Sequence, residues 1–155
     1  MKIDRPVLLG GVYKLTNASQ GKDGSATDVM ASSKKKIHHF DLQRMILRHK
    51  IPLRYNTYHP NKTIHAQRIL CNLTNNEEIR KLANEFYEGY WVNNQDLSDM
   101  NVLKKLVIKA GVQISEKNIE NPSEISKQIL MKNTEELVEK GGFGVPSYYL
   151  EPSKK

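Results

Sequence analysis

Hydrophobic residues along this chain recur mainly at helical spacing, and the clearest case lies between residues 74 and 91. Thr74 and Glu77 form a capping-box pattern, in which a hydroxyl and a carboxylate satisfy the free amides at a helix start. Apolar side chains then follow three or four positions apart, at Ile79, Leu82, Ala83, Phe86, Tyr87, Tyr90 and Trp91. We therefore predict a helix whose aromatic stripe faces the core.

Five further helices are predicted from the same kind of pattern. Proline is tolerated in a first helical turn, so Asn121-Pro122 is read as a helix start. Near the C-terminus, Thr134 can cap a short helix and Gly141 can end it. The predicted segments are residues 35–49, 61–73, 96–111, 121–130 and 133–140.

Only the two ends of the chain carry strand signals. The apolar run Pro6–Leu9 is closed by two glycines, which indicates a buried strand around residues 6–12, and residues 14–30 are predicted to form a loop. The β-prone run Ser147–Leu150 follows Pro146, and proline belongs at a strand start because it cannot donate a ladder hydrogen bond. Strands at the ends with helices between them predict an α/β fold that holds a helical insertion.

The bond between Val145 and Pro146 is a candidate for the cis form, because it lies in a tight glycine-rich corner. A cis-proline loop exposes the N–H and C=O groups of the preceding residue to an extended peptide. The backbone of glutathione would suit such an edge. An ordinary helix–strand connection with a trans proline is the alternative.

Composition excludes several classes of protein. With one cysteine, Cys71, no internal disulfide can form, and a reducing compartment fits. We interpret Cys71 as a small buried side chain and not as a nucleophile. No apolar run reaches membrane-spanning length and no signal peptide is present, so we expect a cytoplasmic or mitochondrial protein that is not secreted and has no membrane partner. The histidines have no metal-ligand spacing, so no metal site is assigned.

Much of the net charge of +7 lies between Lys34 and Lys50. Six lysine and arginine residues in that segment oppose only Asp41. Such a segment favours nucleic acid, acidic small molecules or a phosphate-bearing surface as partner, or is simply a solvated helix face. We do not expect nucleic acid, since no aromatic residues are interleaved for base stacking.

The segment Gly142–Ser147, after its short helix, resembles the cis-proline segment of DsbA-like thioredoxin domains. More narrowly, it is similar to kappa-class glutathione transferases and 2-hydroxychromene-2-carboxylate isomerases. Four other segments agree with that branch in the same order: Leu8–Lys14 with Asn17, Asp41–Arg44 with Ile51–Leu53, Pro60 with Ala66 and Arg68, and Tyr90–Val92 with Asp96–Asp99.

The resemblance implies that glutathione binds as co-substrate between a thioredoxin-like core and a helical insertion. Lys14 and Asn17 match loop positions that face glutathione, and Val145, before Pro146, matches the residue whose main chain pairs with it. An ammonium such as that of Lys14 can hold a carboxylate or lower the pKa of a thiol. A hydrophobic electrophilic small molecule would be the second substrate.

Two departures from that family lead us to expect an incomplete core. The chain starts at the family's second strand, so the serine that activates the thiol has no counterpart, and Ser19, Ser25, Ser32 and Ser33 lie in the wrong place. It also stops before the family's last strand and helix. We therefore expect an incomplete thioredoxin-like part in residues 1–30 and 132–155, a helical insertion in residues 31–131, and no catalytic residue.

Whether this chain is an enzyme therefore stays open at the level of sequence. The first hypothesis is a glutathione-dependent transferase or isomerase lineage. The alternative is a non-catalytic binding or assembly module, as a homodimer or completed by a partner strand, because exposed sheet edges recruit strands.

Overall fold

A computed structural model of the protein describes residues 3–18 and 30–151. Those residues form seven helices and contain no strand. In chain order the helices are α1 (Leu9–Leu15), α2 (Ser32–His49), α3 (Ile64–Leu70), α4 (Asn76–Trp91), α5 (Met100–Ala110), α6 (Glu116–Glu120) and α7 (Glu124–Glu139). The α/β core expected from the sequence is therefore not seen in the described part of the chain.

The strand predicted around residues 6–12 is wrong, because Leu9–Leu15 is helical. A strand obtains its backbone hydrogen bonds from a neighbouring strand, and the described residues offer none, whereas a helix satisfies its amides internally. Val12 is fully buried on the inner side of α1. The predicted loop over residues 14–30 begins only after Leu15, and its residues 19–29 lie outside the described part.

Residues 147–150 do not form the predicted strand either. They follow Gly141, whose φ of 81° ends the preceding helical turn as expected. The segment Ser147–Leu150 belongs to no sheet, and the side chain of Leu150 is exposed.

The two helices predicted on either side of residue 131 are one continuous helix, α7. Thr134 is not its cap but lies inside it, where its hydroxyl donates to the carbonyl of Leu130 at 2.7 Å. Ser123 caps α7 by accepting from the N–H of Ser126. The expected domain boundary between residues 131 and 132 thus falls within a helix.

The remaining helices occur where they were predicted, with shifted ends. α4 is capped by Asn75, which accepts from the amides of Glu77 and Glu78, so the predicted Thr74 cap is wrong by one residue. Asp99 caps α5, and Gly111 ends it with a φ of 65°. The short helix α6 was not predicted.

The core lies among α3 to α6, and α4 packs most extensively on α5. Leu82, Phe86 and Tyr90 of the predicted stripe are buried, whereas Tyr87 is exposed. The buried cluster consists of Ala66, Ile69, Leu70, Leu73, Leu82, Phe86, Tyr90, Leu97, Leu103, Leu106, Val107, Ala110, Val112 and Ile119.

Candidate functional site

Two of the four predicted site residues, Lys14 and Asn17, lie together at the end of α1. Lys14 is in the last turn and is exposed. Asn17 has a φ of 51°, and its N–H donates to the carbonyl of Lys14 at 3.4 Å. Asparagine tolerates this left-handed conformation better than most residues, which is consistent with the helix ending just before it. Within the described residues no carboxylate pairs with Lys14, so its ammonium faces solvent.

The other two predicted residues, Val145 and Pro146, lie in the exposed segment after α7. The Val145–Pro146 bond is cis, as the sequence suggested, and a second cis bond that was not predicted precedes Pro60. The side chain of Val145 is about half exposed at 46%. Its backbone N–H and C=O make no hydrogen bond to any residue in 3–18 or 30–151. The N–H group is therefore free to donate, and the C=O group free to accept, a hydrogen bond with the main chain of a ligand.

The packing of α1 on α7 connects the elements that carry the two pairs. The amide of Leu8 donates to the Thr134 hydroxyl at 3.0 Å, and the Asn133 side-chain amide donates to the carbonyl of Pro6 at 3.1 Å. Gly11 permits this approach, because a Cβ built there would lie 3.0 Å from Thr134 Cγ2. Among the described contacts, no hydrogen bond or ion pair joins Lys14 or Asn17 directly to Val145.

A charged cluster at the end of α7 contacts the first and the last described segments of the chain. Glu136 forms ion pairs with Arg5 and with Lys140, the latter at 2.6 Å. The hydrogen bond from Lys140 is the main cause that lowers the pKa of Glu136, and the same contact raises the pKa of Lys140. The Lys140 ammonium also lies 4.3 Å from the ring centre of Tyr149. The Lys140 ammonium is therefore already engaged by Glu136 and Tyr149.

Sequence reasoning missed a polar and aromatic cluster around His59. Its Nδ1 lies 2.9 Å from the Tyr90 hydroxyl, and its ring centre lies 5.6 Å from that of Trp91. Burial is the main cause that raises the pKa of Tyr90, with smaller contributions from Tyr55 and Asp96. Only the regular spacing of Tyr90 and Trp91 was visible in the sequence, since His59 comes from a separate loop.

Asn56, beside that cluster, is buried and ties the loop to the end of α4. Its side-chain amide donates to the carbonyls of Tyr90 at 2.6 Å and Gln95 at 3.0 Å. A buried amide with both donors satisfied rigidifies its surroundings. This arrangement fits a structural role for the cluster.

A small apolar groove of about 240 Å³ lies between the loop after α2 and the end of α4. Its lining consists of Ile51, Pro52, Leu53, Tyr87, Glu88, Trp91 and Val92. Ligand pockets usually measure about 300–1,000 Å³, so this groove would hold only part of an apolar molecule. None of the four predicted glutathione residues lines it.

The remaining candidate chemistry is limited. Cys71 is 5% exposed, and burial raises the pKa of its thiol to about 11, which confirms its interpretation as a buried side chain. Four serines were excluded as counterparts of the family's thiol-activating serine. Of these, Ser32 and Ser33 begin α2, and Ser19 and Ser25 lie outside the described residues. In residues 3–18 and 30–151, no three or more histidine, cysteine, aspartate or glutamate side chains lie close enough together to hold a metal ion. None of the helices in these ranges has the length and apolar character needed to cross a membrane.

Comparison with known proteins gives one result at the level of family. The sequence pattern of the DSBA-like thioredoxin domain matches residues 3–154, which is nearly the whole chain. No curated protein matches the sequence. The chain therefore belongs to the DSBA-like thioredoxin domain family.

Proposed function

We propose that this protein binds glutathione, in the manner of the kappa-class glutathione transferase and 2-hydroxychromene-2-carboxylate isomerase branch. The observation that carries the proposal is that α1 packs on α7. Lys14 lies in the last turn of α1 and Asn17 just after it, while Val145 and Pro146 follow α7. Membership of the family supports it, as do the four residues that match the branch by position.

Each of these residues has a role that its chemistry suits. The ammonium of Lys14 pairs with a glutathione carboxylate or stabilises its thiolate, because an opposite charge nearby favours the ionised form. The amide of Asn17 both donates and accepts. The free N–H and C=O of Val145 pair with the cysteinyl main chain, and Pro146 holds the corner.

The reaction class that follows is attack of the glutathione thiolate on a hydrophobic electrophile, as a lasting conjugation or as a reversible addition that isomerises a double bond. We assign no catalytic residue. In this proposal residues 1–30 and 132–155 form the thioredoxin-like part, and residues 31–131 form the helical insertion.

Calorimetric titration with glutathione tests the proposal. Replacing Lys14 with Met should weaken binding about tenfold or more, because a charged hydrogen bond is lost. Lys105→Met is the matched control, since Lys105 is an exposed lysine on α5 that should not affect binding. Absence of glutathione binding by the wild-type protein, or equal affinity in the two variants, would refute the role given to Lys14.

A second pair of variants tests the main-chain contact. Val145→Pro removes the backbone N–H that the proposal uses, whereas Val145→Ala keeps it. We expect the first variant to lose affinity and the second to retain most of it. Similar losses in both would mean that the side chain, and not the main chain, matters.

The non-catalytic alternative draws on a different observation. Phe143 and Leu150 are 81% and 88% exposed, which is unusual for large apolar side chains near one another in sequence. Such a segment can take part in a homodimer or add a partner strand. Sedimentation equilibrium of the purified protein tests this alternative. A protein that remains monomeric at high concentration would count against it.

A further inference from the structure

The helix α2 presents large apolar side chains to solvent. Ile37, Phe40 and Leu47 are 67%, 64% and 76% exposed, and no residue of α2 is buried. Their spacing places them along one side of the helix, which we call the apolar stripe of α2. Leu42 and Ile46 lie on the opposite side of α2, and their side chains are partly buried. The stripe thus points away from the rest of the protein.

Cations surround the apolar stripe. Lys36 and Arg48 flank it on opposite sides, and Arg44 lies within its length. Residues 34–50 carry six lysine and arginine side chains against the single carboxylate of Asp41, which pairs with Arg44 at 3.2 Å. The surface is therefore both apolar and strongly positive.

We propose that α2 binds an anionic lipid surface, lying flat among the headgroups with the apolar stripe inserted. A basic helix with exposed apolar side chains gains from burial of those side chains and from attraction to acidic lipids. The long stems of Lys36 and Arg48 can reach headgroup phosphates while their methylenes stay near the stripe. This is contact with a membrane surface and not a span, and it revises the absence of a membrane partner expected from the sequence.

Other occupants fit the surface less well. A second copy of α2 would bring two strongly positive helices together. Nucleic acid would set Ile37, Phe40 and Leu47 against charged phosphates, which leaves the apolar side chains without a favourable environment. A lipid surface satisfies the apolar stripe and the cations at once.

Co-sedimentation with vesicles tests this proposal. The protein should bind vesicles that contain phosphatidylserine and bind poorly to vesicles of phosphatidylcholine alone, and added salt should weaken the binding. The double variant Phe40→Asp and Leu47→Asp should bind the acidic vesicles at least about tenfold more weakly, because two inserted side chains are lost.

Ile108→Asp is the matched control, because Ile108 is 76% exposed but lies on α5. It should bind vesicles like the wild type. Circular dichroism shows whether the double variant is folded, and its unchanged affinity for glutathione would separate this proposal from the glutathione site. Unaltered vesicle binding by the double variant overturns the proposal. The proposal is also overturned if the protein does not bind the vesicles and instead binds an oligonucleotide duplex or an acidic polypeptide.

Discussion

At the scale of single residues, Cys71 illustrates how burial decides the chemistry of a side chain. The thiol lies at the end of α3 inside the core, at 5% exposure. Removal from water disfavours the charged thiolate, so its pKa rises from 9.0 to about 11. A thiolate is the reactive form, and the folded protein therefore keeps this cysteine inert.

We expect Cys71 to resist alkylation in the native protein at pH 8, where only about one thiol in a thousand would be ionised even if reagent could reach it. Reaction with a coloured thiol reagent should follow unfolding in urea. Rapid labelling without denaturant would show that the thiol is accessible.

The same residue predicts a pH dependence of stability. Because the pKa of Cys71 is raised on folding, its contribution to stability is complete below about pH 9 and is lost as pH rises from 9 to about 11. A Cys71→Ala variant should show a smaller fall in the free energy of unfolding over that interval, measured by urea titration at each pH. Equal slopes in the two proteins would contradict the burial argument.

At the scale of elements, the close packing of α4 on α5 depends on a glycine. A Cβ at Gly89 would lie 2.7 Å from Gln95 Oε1 and 2.9 Å from Leu106 Cδ1. Both distances are shorter than a normal van der Waals contact, so an added methyl group would force the ends of the Gln95 and Leu106 side chains to move in a packed region.

Gly89→Ala should therefore destabilise the protein by about 1–3 kcal/mol, although alanine favours helices. Gly10→Ala is the matched control, because a Cβ at Gly10 in α1 meets nothing within 4 Å, and it should stabilise by about 0.5–1 kcal/mol. Both values come from urea unfolding. The same sign in both variants would refute the packing explanation.

The exposed helix α2 should be the least protected of the long helices. It buries no side chain, whereas α4 buries Leu82, Phe86 and Tyr90. Helices rely on tertiary packing for most of their stability. Hydrogen exchange at α2 amides should therefore be faster than at α4 amides, and slow exchange throughout α2 would reveal packing that the structure does not show.

Helices were predicted well from the sequence where the residues that begin, end or pack the helix lie within it or beside it. The Gly111 stop and the apolar spacing of α4 both act locally, and these two helices occur where they were predicted, although their starts are shifted. Prediction failed where the outcome depends on a distant partner. The run Pro6–Leu9 has the composition of a strand, but a helix begins at Leu9 and packs on α7, and the described residues provide no strand for pairing.

The candidate site shows the same division. Lys14 with Asn17, and Val145 with Pro146, could be proposed from the sequence because each pair lies in a short segment that resembles the family. The Asn133 and Thr134 contacts that join their helices could not, since each links residues more than a hundred positions apart. Thr134 was visible in the sequence, but as a cap and not as the acceptor for Leu8.

At the scale of the whole molecule, the packing of α1 on α7 brings the first and last described segments into one unit. Arg5 with Glu136 and the Leu8 amide with Thr134 hold this unit together. The helices α3 to α6 form the core beside it. A ligand bound at Lys14 and Val145 would thus contact both ends of the chain and should raise the unfolding temperature of the protein.

The most direct test of the account is a glutathione titration followed by amide NMR spectra of the labelled protein. We predict saturable shifts concentrated at the amides of Lys14, Asn17 and Val145, with little change along α5. Shifts confined to the groove beside Trp91, or none at millimolar glutathione, would contradict the assignment of this site.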